Sequence, residues 1–223
     1  MDVGLEAITI FLLSFIILYL TYLFYANQLL KIKSSYDNNH YYVQEKEDSI
    51  DAANLIAQIR EKSNLIVSHL SKTYPNEERT QYLLKNYNDN AFKEAIDYPG
   101  TNMTSYSINK GEQIVLCLRQ RNKNNNDELV DLNTMMFVVL HELAHLASYS
   151  IGHTDEFWTN FKWILEESIN IGIYIKQDFD NKPVEYCGMS ITSSPLDMNL
   201  SSFKLNNNNQ NNVIEGFKLN YVL

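Results

Sequence analysis

The chain has 223 residues, 45% of them hydrophobic, and a formal charge of −9 from 18 Lys and Arg against 27 Asp and Glu. That acidic balance argues against a nucleic-acid partner, which requires a basic footprint; the basic cluster here is Arg119, Arg121 and Lys123. The two cysteines, Cys117 and Cys187, are read as thiols of a reducing compartment, Cys187 as a buried structural one.

The first element is residues 7–30, which carry no charge. As a helix, the apolar core from Ile8 to Ala26 spans about 28 Å of a hydrocarbon layer of about 30 Å. Asp2 and Glu6 ahead of it, its length, and Tyr25-Ala26-Asn27-Gln28 behind it do not suit a cleavable signal peptide. Continuous Phe, Leu and Ile with no polar face does not suit a soluble helix. Residues 7–30 are therefore expected to be one transmembrane anchor, with Tyr19, Tyr22 and Tyr25 at an interface. Lys31 and Lys33 follow it, so the positive-inside rule puts the rest of the chain on the cytosolic side. Two glycosylation sequons, Asn102-Met103-Thr104 and Asn199-Leu200-Ser201, matter only in the opposite orientation.

Residues 31–48, rich in Ser, Asn, Asp and Lys, read as a mobile tether. Residues 49–200 are long enough for one domain with a real core. Ile56, Ile59, Ile66 and Leu70 predict a helix over 49–72, ended before Pro75. A second begins after Asn76, with Tyr82, Leu83 and Tyr87 on its apolar side. Pro99-Gly100 marks a turn. Ser105 to Ile108 and Gln113 to Leu118 flank Asn109-Lys110-Gly111, a hairpin signature. Ile114–Leu118 is the candidate edge strand for pairing with an extended peptide; an ordinary internal strand is the equal alternative.

Asp131 is placed to cap the next helix, whose apolar residues wrap most of its circumference and predict burial. Inside it lies His141-Glu142-Leu143-Ala144-His145. Two His four apart share one helix face and can grip one Zn²⁺, and Glu142 is placed to act as general base on a zinc-activated water. A catalytic zinc takes three protein ligands and leaves one position open. Gly152 can end the helix in a left-handed conformation and let His153 turn back as the third ligand. Glu166 or Glu167, on the following helix, is the alternative. That helix starts at Thr154 or Asp155 and places Phe157, Phe161, Ile164 and Leu165 at helical spacing, with Trp158 and Trp163 as core. Val184 to Met189 is a late strand or loop. Residues 201–223 form an Asn-rich low-complexity tail, most polar at 205–212. Helices with one small antiparallel sheet make the domain α+β.

The string His-Glu-Leu-Ala-His, then Gly-His, then Asp-Glu-Phe-Trp resembles the WLM and SprT-like zinc metallopeptidases over residues 101–170, about a third of the chain. The resemblance implies a zincin-like fold, Zn²⁺ held by His141, His145 and His153, Glu142 as general base, and a protein or peptide substrate. The spacing between His145 and His153 departs from typical members of either branch and leaves the subfamily open. Anchored, Asn-rich chains of this kind resemble proteins of large DNA viruses, so a host or viral membrane is the expected setting. Three functions follow: a membrane-anchored zinc endopeptidase; a DNA-associated protease acting on protein crosslinks, which the charge disfavours; and a non-catalytic zinc-stabilised interaction module. Tyr186 is a candidate to stabilise the oxyanion.

Overall fold

The computed structural model describes residues 3–26, 29–96, 104–121 and 127–197, with side chains of the first helix from 8 to 22. The Pro99-Gly100 turn, Asn102 and Asn199 of the sequons, Lys123 and the Asn-rich tail lie outside the described residues. Helix α1 runs Val3–Ala26, and its side chains from Ile8 to Tyr22 are exposed. Among the described residues no helix is long and apolar enough to cross a membrane. The transmembrane anchor expected over 7–30 is thus without support among the described residues, and its last residues, Leu29 and Leu30, lie in a strand rather than in the helix.

Residues 31–48 are not a tether. Strands β1 (Leu29–Lys33) and β2 (His40–Gln44) form an antiparallel hairpin in register from Leu29↔Gln44 to Lys33↔His40. Asn38 turns it with φ 62°, a value Asn tolerates better than most residues. Tyr41 and Val43 alternate inward and are buried, which fixes the register against helix α2. The polar composition of the segment belongs to the turn and the outer face.

Helix α2 runs Ser49–Thr73, with Ile56, Ile59, Ile66 and Leu70 fully buried. Helix α3 runs Glu78–Asn86, starting after Glu77 rather than Asn76. Strands β3 (Phe92–Glu94), β4 (Tyr106–Ile108) and β5 (Gln113–Leu116) form a sheet in the order β3-β5-β4. The pairing of β3 with β5 is parallel and that of β4 with β5 antiparallel, so the sheet is mixed, not antiparallel. Of the two alternatives for β5, edge or internal, the second holds: it is the central strand, and β3 and β4 take the outer positions. Helices α4 (Leu132–Ala147) and α5 (Asp155–Asn170) follow, then a hairpin of β6 (Val184–Tyr186) and β7 (Met189–Ile191).

Every residue of α4 from Thr134 to Ala147 is buried, and α2, α3 and α5 pack around it. Asp131 caps it as expected, its carboxylate accepting from Thr134 N–H at 3.0 Å. Arg119, 2% exposed, ties the sheet to the N-terminus of α2: Nε donates to Glu94 at 2.7 Å and NH1 to Asp48 at 2.6 Å. The cysteines are not free thiols. Cys117 and Cys187 form a disulfide with Cα atoms 6.2 Å apart, joining the end of β5 to the β6–β7 turn.

Candidate metal centre

A helix that buries every side chain has no water to solvate a polar one, so His141, Glu142 and His145 must be satisfied from within. The 3.6-residue turn stacks His141 and His145 on one face, with their Nε2 atoms 3.2 Å apart. Helix α4 ends at Ala147, earlier than a stop at Gly152 would put it; Ser148 adopts extended backbone and donates its hydroxyl back to Ala144 O at 2.7 Å. Gly152 takes the left-handed conformation, φ 85°, immediately before His153, and the chain turns back. His153 Nε2 lies 3.1 Å from His141 Nε2.

The ligand atoms of His141, His145 and His153 all lie within 4.8 Å of one another. Two nitrogens each about 2.0–2.1 Å from one tetrahedral zinc lie about 3.3 Å apart, so the spacing of these Nε2 atoms fits such an ion. Among the described residues no fourth Cys, His, Asp or Glu joins the group, which leaves a coordination position open. Glu167, the rival ligand, is engaged elsewhere: it accepts from Tyr74 O–H at 2.6 Å and pairs with His69 Nε2 at 2.6 Å. Glu166 is exposed.

Burial disfavours the charged form of each imidazole. His141 is held well below the usual histidine range by burial and by the positive charge His145 and His153 would carry. Burial, with His153 and Lys110 adding to it, takes His145 down to about 3, and burial takes His153 down to about 4. All three are neutral near pH 7, the form that ligates a metal. Burial pushes Glu142 up to about 7, against the opposing pull of the Ser107 hydroxyl and N–H. Its Oε2 is buried and has no hydrogen-bond partner. An orphaned carboxylate oxygen one residue from a ligand histidine is the arrangement a general base requires.

The Phe-Trp pair at the start of α5 forms the wall of the site. Thr154 caps this helix, accepting from Phe157 N–H at 3.4 Å. Phe157 stacks on His145 with ring centroids 4.2 Å apart and meets His141 edge-on at 4.8 Å. Trp158 lies against His153 at 5.5 Å. These rings fix the imidazole planes and exclude water behind them. Trp163 is remote from the histidines, packed against Tyr74 and beneath the Arg79 guanidinium. Tyr186 is fully buried, and its hydroxyl is hydrogen-bonded to Ser105 Oγ rather than open to a substrate.

Motif reading gave no sign of Ser107, on β4, which lowers the Glu142 carboxyl against its burial, while Ser105, just before the strand, meets Tyr186. Arg119, counted as part of a basic cluster, is engaged inside the fold.

Comparison with known proteins shows the family. The profile of the WLM domain matches residues 44–218. Uncharacterized protein R325 of Acanthamoeba polyphaga mimivirus is 30% identical over 167 residues, covering 74% of this chain and 83% of that protein. Proteins 136R of Invertebrate iridescent virus 6 and 042R of Invertebrate iridescent virus 3 are 39% and 48% identical over 70 and 71 residues, covering 31% of this chain in each case and 38% and 42% of theirs. Among solved structures, Wss1 from Saccharomyces cerevisiae aligns with a TM-score of 0.41 at 24% identity, over 58% of this chain and 85% of that one.

Proposed function

The chain belongs to the WLM domain family of metal-dependent proteases, and from that premise we propose that it is a membrane-anchored zinc endopeptidase. The observation that carries the reading is the unpartnered Oε2 of Glu142 beside three convergent, neutral imidazoles. His141, His145 and His153 would hold the ion. Zinc bound there supplies a Lewis acid for the scissile carbonyl and lowers the pKa of water toward about 7. Ser107 opposes the rise that burial imposes on the Glu142 carboxyl, and Oε2 would take the proton from the attacking water. A carboxyl raised to about 7 can then return that proton to the leaving amine. Phe157 and Trp158 keep solvent from the back of the site.

The substrate is a protein segment in extended conformation, lying along β4. That strand has an outer position in its sheet and carries Ser107, which acts on the Glu142 carboxyl. A non-catalytic zinc module would call for a fourth protein ligand, and a DNA-directed protease for an exposed basic face. Neither has a supporting observation at this site.

The proposed anchoring rests on the uncharged run 7–30, of which residues 7–26 lie in helix α1 and Leu29 and Leu30 in strand β1. The compartment is argued by the disulfide. A buried cystine is a feature of oxidising environments and outweighs two lysines as a topological marker. We place the catalytic domain on the oxidising side of the membrane.

The test is the full chain and its Glu142→Gln variant, assayed for zinc content and for cleavage of an unfolded protein such as casein. The variant is expected to retain one zinc per chain and lose activity by a factor on the order of 10²–10⁴. Undiminished cleavage would remove Glu142 from the mechanism.

A further inference from the structure

The turn between β4 and β5 contains three successive residues in the left-handed region: Asn109 at φ 47°, Lys110 at 51° and Gly111 at 103°. Such a run is costly for side chains other than glycine, so something must hold it. Gly111 sits so close to the ends of α3 and α4 that a Cβ there would lie 2.2 Å from Asn86 O and 3.0 Å from Leu146 Cδ2. Asn86 Nδ2 in turn donates to Leu146 O at 2.9 Å. The turn is thus wedged against the exit of the metal-site helix.

The wedge aims Lys110. Its ammonium donates to Ser148 O at 2.9 Å and Tyr149 O at 2.7 Å, the first carbonyls after α4. From the other side the Glu156 carboxylate accepts from Tyr149 N–H at 2.7 Å and Ser150 N–H at 3.0 Å. A cation on its carbonyls and an anion on its amides therefore grip residues 148–150. A hydrogen bond between Ser150 Oγ and Thr154 Oγ1, 2.6 Å, closes the loop around His153. Beyond these bonds, Asn160 Nδ2 donates to the Ser148 hydroxyl at 3.0 Å and the Tyr149 ring meets Tyr82 at 5.8 Å, while Tyr149 and Ile151 are each 71% exposed and nothing outside its chain neighbours lies within 4 Å of where a Gly152 Cβ would be.

We propose that Lys110 and Glu156 are positioning residues of the metal centre: together they clamp the exit of α4 so that His153 stays in register with His141 and His145. Without the clamp, the backbone that carries the third ligand is a short loop whose side chains at 149 and 151 are exposed, and the ordering entropy of that loop counts against metal binding. The same hairpin carries Ser107, so the support of the third ligand and the support of the general base are one element. The inference rests on the metal-centre reading above.

The test uses the full chain, with Lys110→Met, Lys110→Arg, Glu156→Gln and the Lys110→Met/Glu156→Gln double variant. Zinc affinity is measured by competition with a chromophoric chelator, and thermal unfolding is followed for the metal-free forms. Each neutralising variant is expected to weaken zinc binding by about tenfold, within the range that supporting residues contribute to metal sites. The double variant should lose less than the product of the two, because both act on one loop. Lys110→Arg keeps the charge and should recover most of the affinity. A residue that merely caps the helix would lower the unfolding temperature of the metal-free chain and leave zinc affinity unchanged; that result overturns the clamp. A wild-type chain that binds no zinc instead overturns the metal-centre reading beneath it.

Discussion

Breaking the Cys117–Cys187 disulfide is expected to remove a large share of the stability of the domain. The bond closes a loop of 70 residues in sequence, and the chain-entropy relation for a loop of that length gives about 4 kcal/mol at 25 °C. Total stabilities of single domains run at about 5–15 kcal/mol, so the loss is a substantial fraction. The local structure shows what moves. Cys117, directly after β5, donates its N–H to Ser105 Oγ at 2.9 Å, and that hydroxyl meets Tyr186, the residue before Cys187. Cys187 is held at φ 52° in the β6–β7 turn. Releasing the bond frees this hairpin from the sheet that carries Ser107. The assay is urea unfolding of the metal-free chain with and without reductant, alongside Cys117→Ala/Cys187→Ala. With a slope of roughly 2 kcal/mol per molar urea, the midpoint should fall by about 2 M in both cases. A midpoint unmoved by reductant, with mass spectrometry showing two reduced thiols, would refute the reasoning.

Arg119→Met leaves the buried Glu94 without its counter-charge and should cost about 3–5 kcal/mol, read as a lowered melting temperature. Adding Glu94→Gln should restore part of the loss, and a double variant no better than the single one would show the pair to be dispensable. Burial pushes Glu167 upward, but the Tyr74 hydroxyl and His69 outweigh it and hold the carboxyl below its usual range. A depressed carboxylate contributes stability that is complete above its unfolded pKa and is lost as pH falls through the folded one. Tyr74→Phe should therefore destabilise the chain at pH 7, with the deficit vanishing in acid. A deficit of equal size at both pH values would assign it to packing against Trp163 instead. In sealed vesicles, the catalytic domain should be cut by added protease only when the oxidising face is outward. Cleavage confined to the opposite orientation would return the domain to the side that Lys31 and Lys33 favour.

Elements with a full helical period in the sequence were legible, because burial of one face is enough to specify them. The spacing of Ile56, Ile59, Ile66 and Leu70 placed α2 to within a residue, and Asp131 marked the start of α4 through its own hydrogen bond. The β1–β2 hairpin was not legible because five-residue strands show only two inward positions each. Tyr41 and Val43 were outvoted by the polar turn between the strands. Sheet order was hidden for a different reason. β3, a three-residue strand running parallel to β5, is joined to it through β4 and two loops, and no local pattern announces a parallel partner. That unseen strand is what makes β5 internal and leaves the outer place to β4.

The site divides along the same line. His141, Glu142 and His145 lie within five residues on one helix, so their geometry follows from the helical repeat alone. His153 needed one further inference, a turn at Gly152, and the backbone takes that turn. What holds these groups in place comes from elsewhere in the chain. Ser107 reaches Glu142 from 35 positions away, and Lys110 reaches Ser148 across 38. A serine and a lysine in a hairpin are ordinary residues until the tertiary fold sets that hairpin against α4. Ligands bound by one helix can be read as a motif because secondary structure fixes their distances. Supporting residues have no such constraint between them in sequence, and only the tertiary fold brings them to the site.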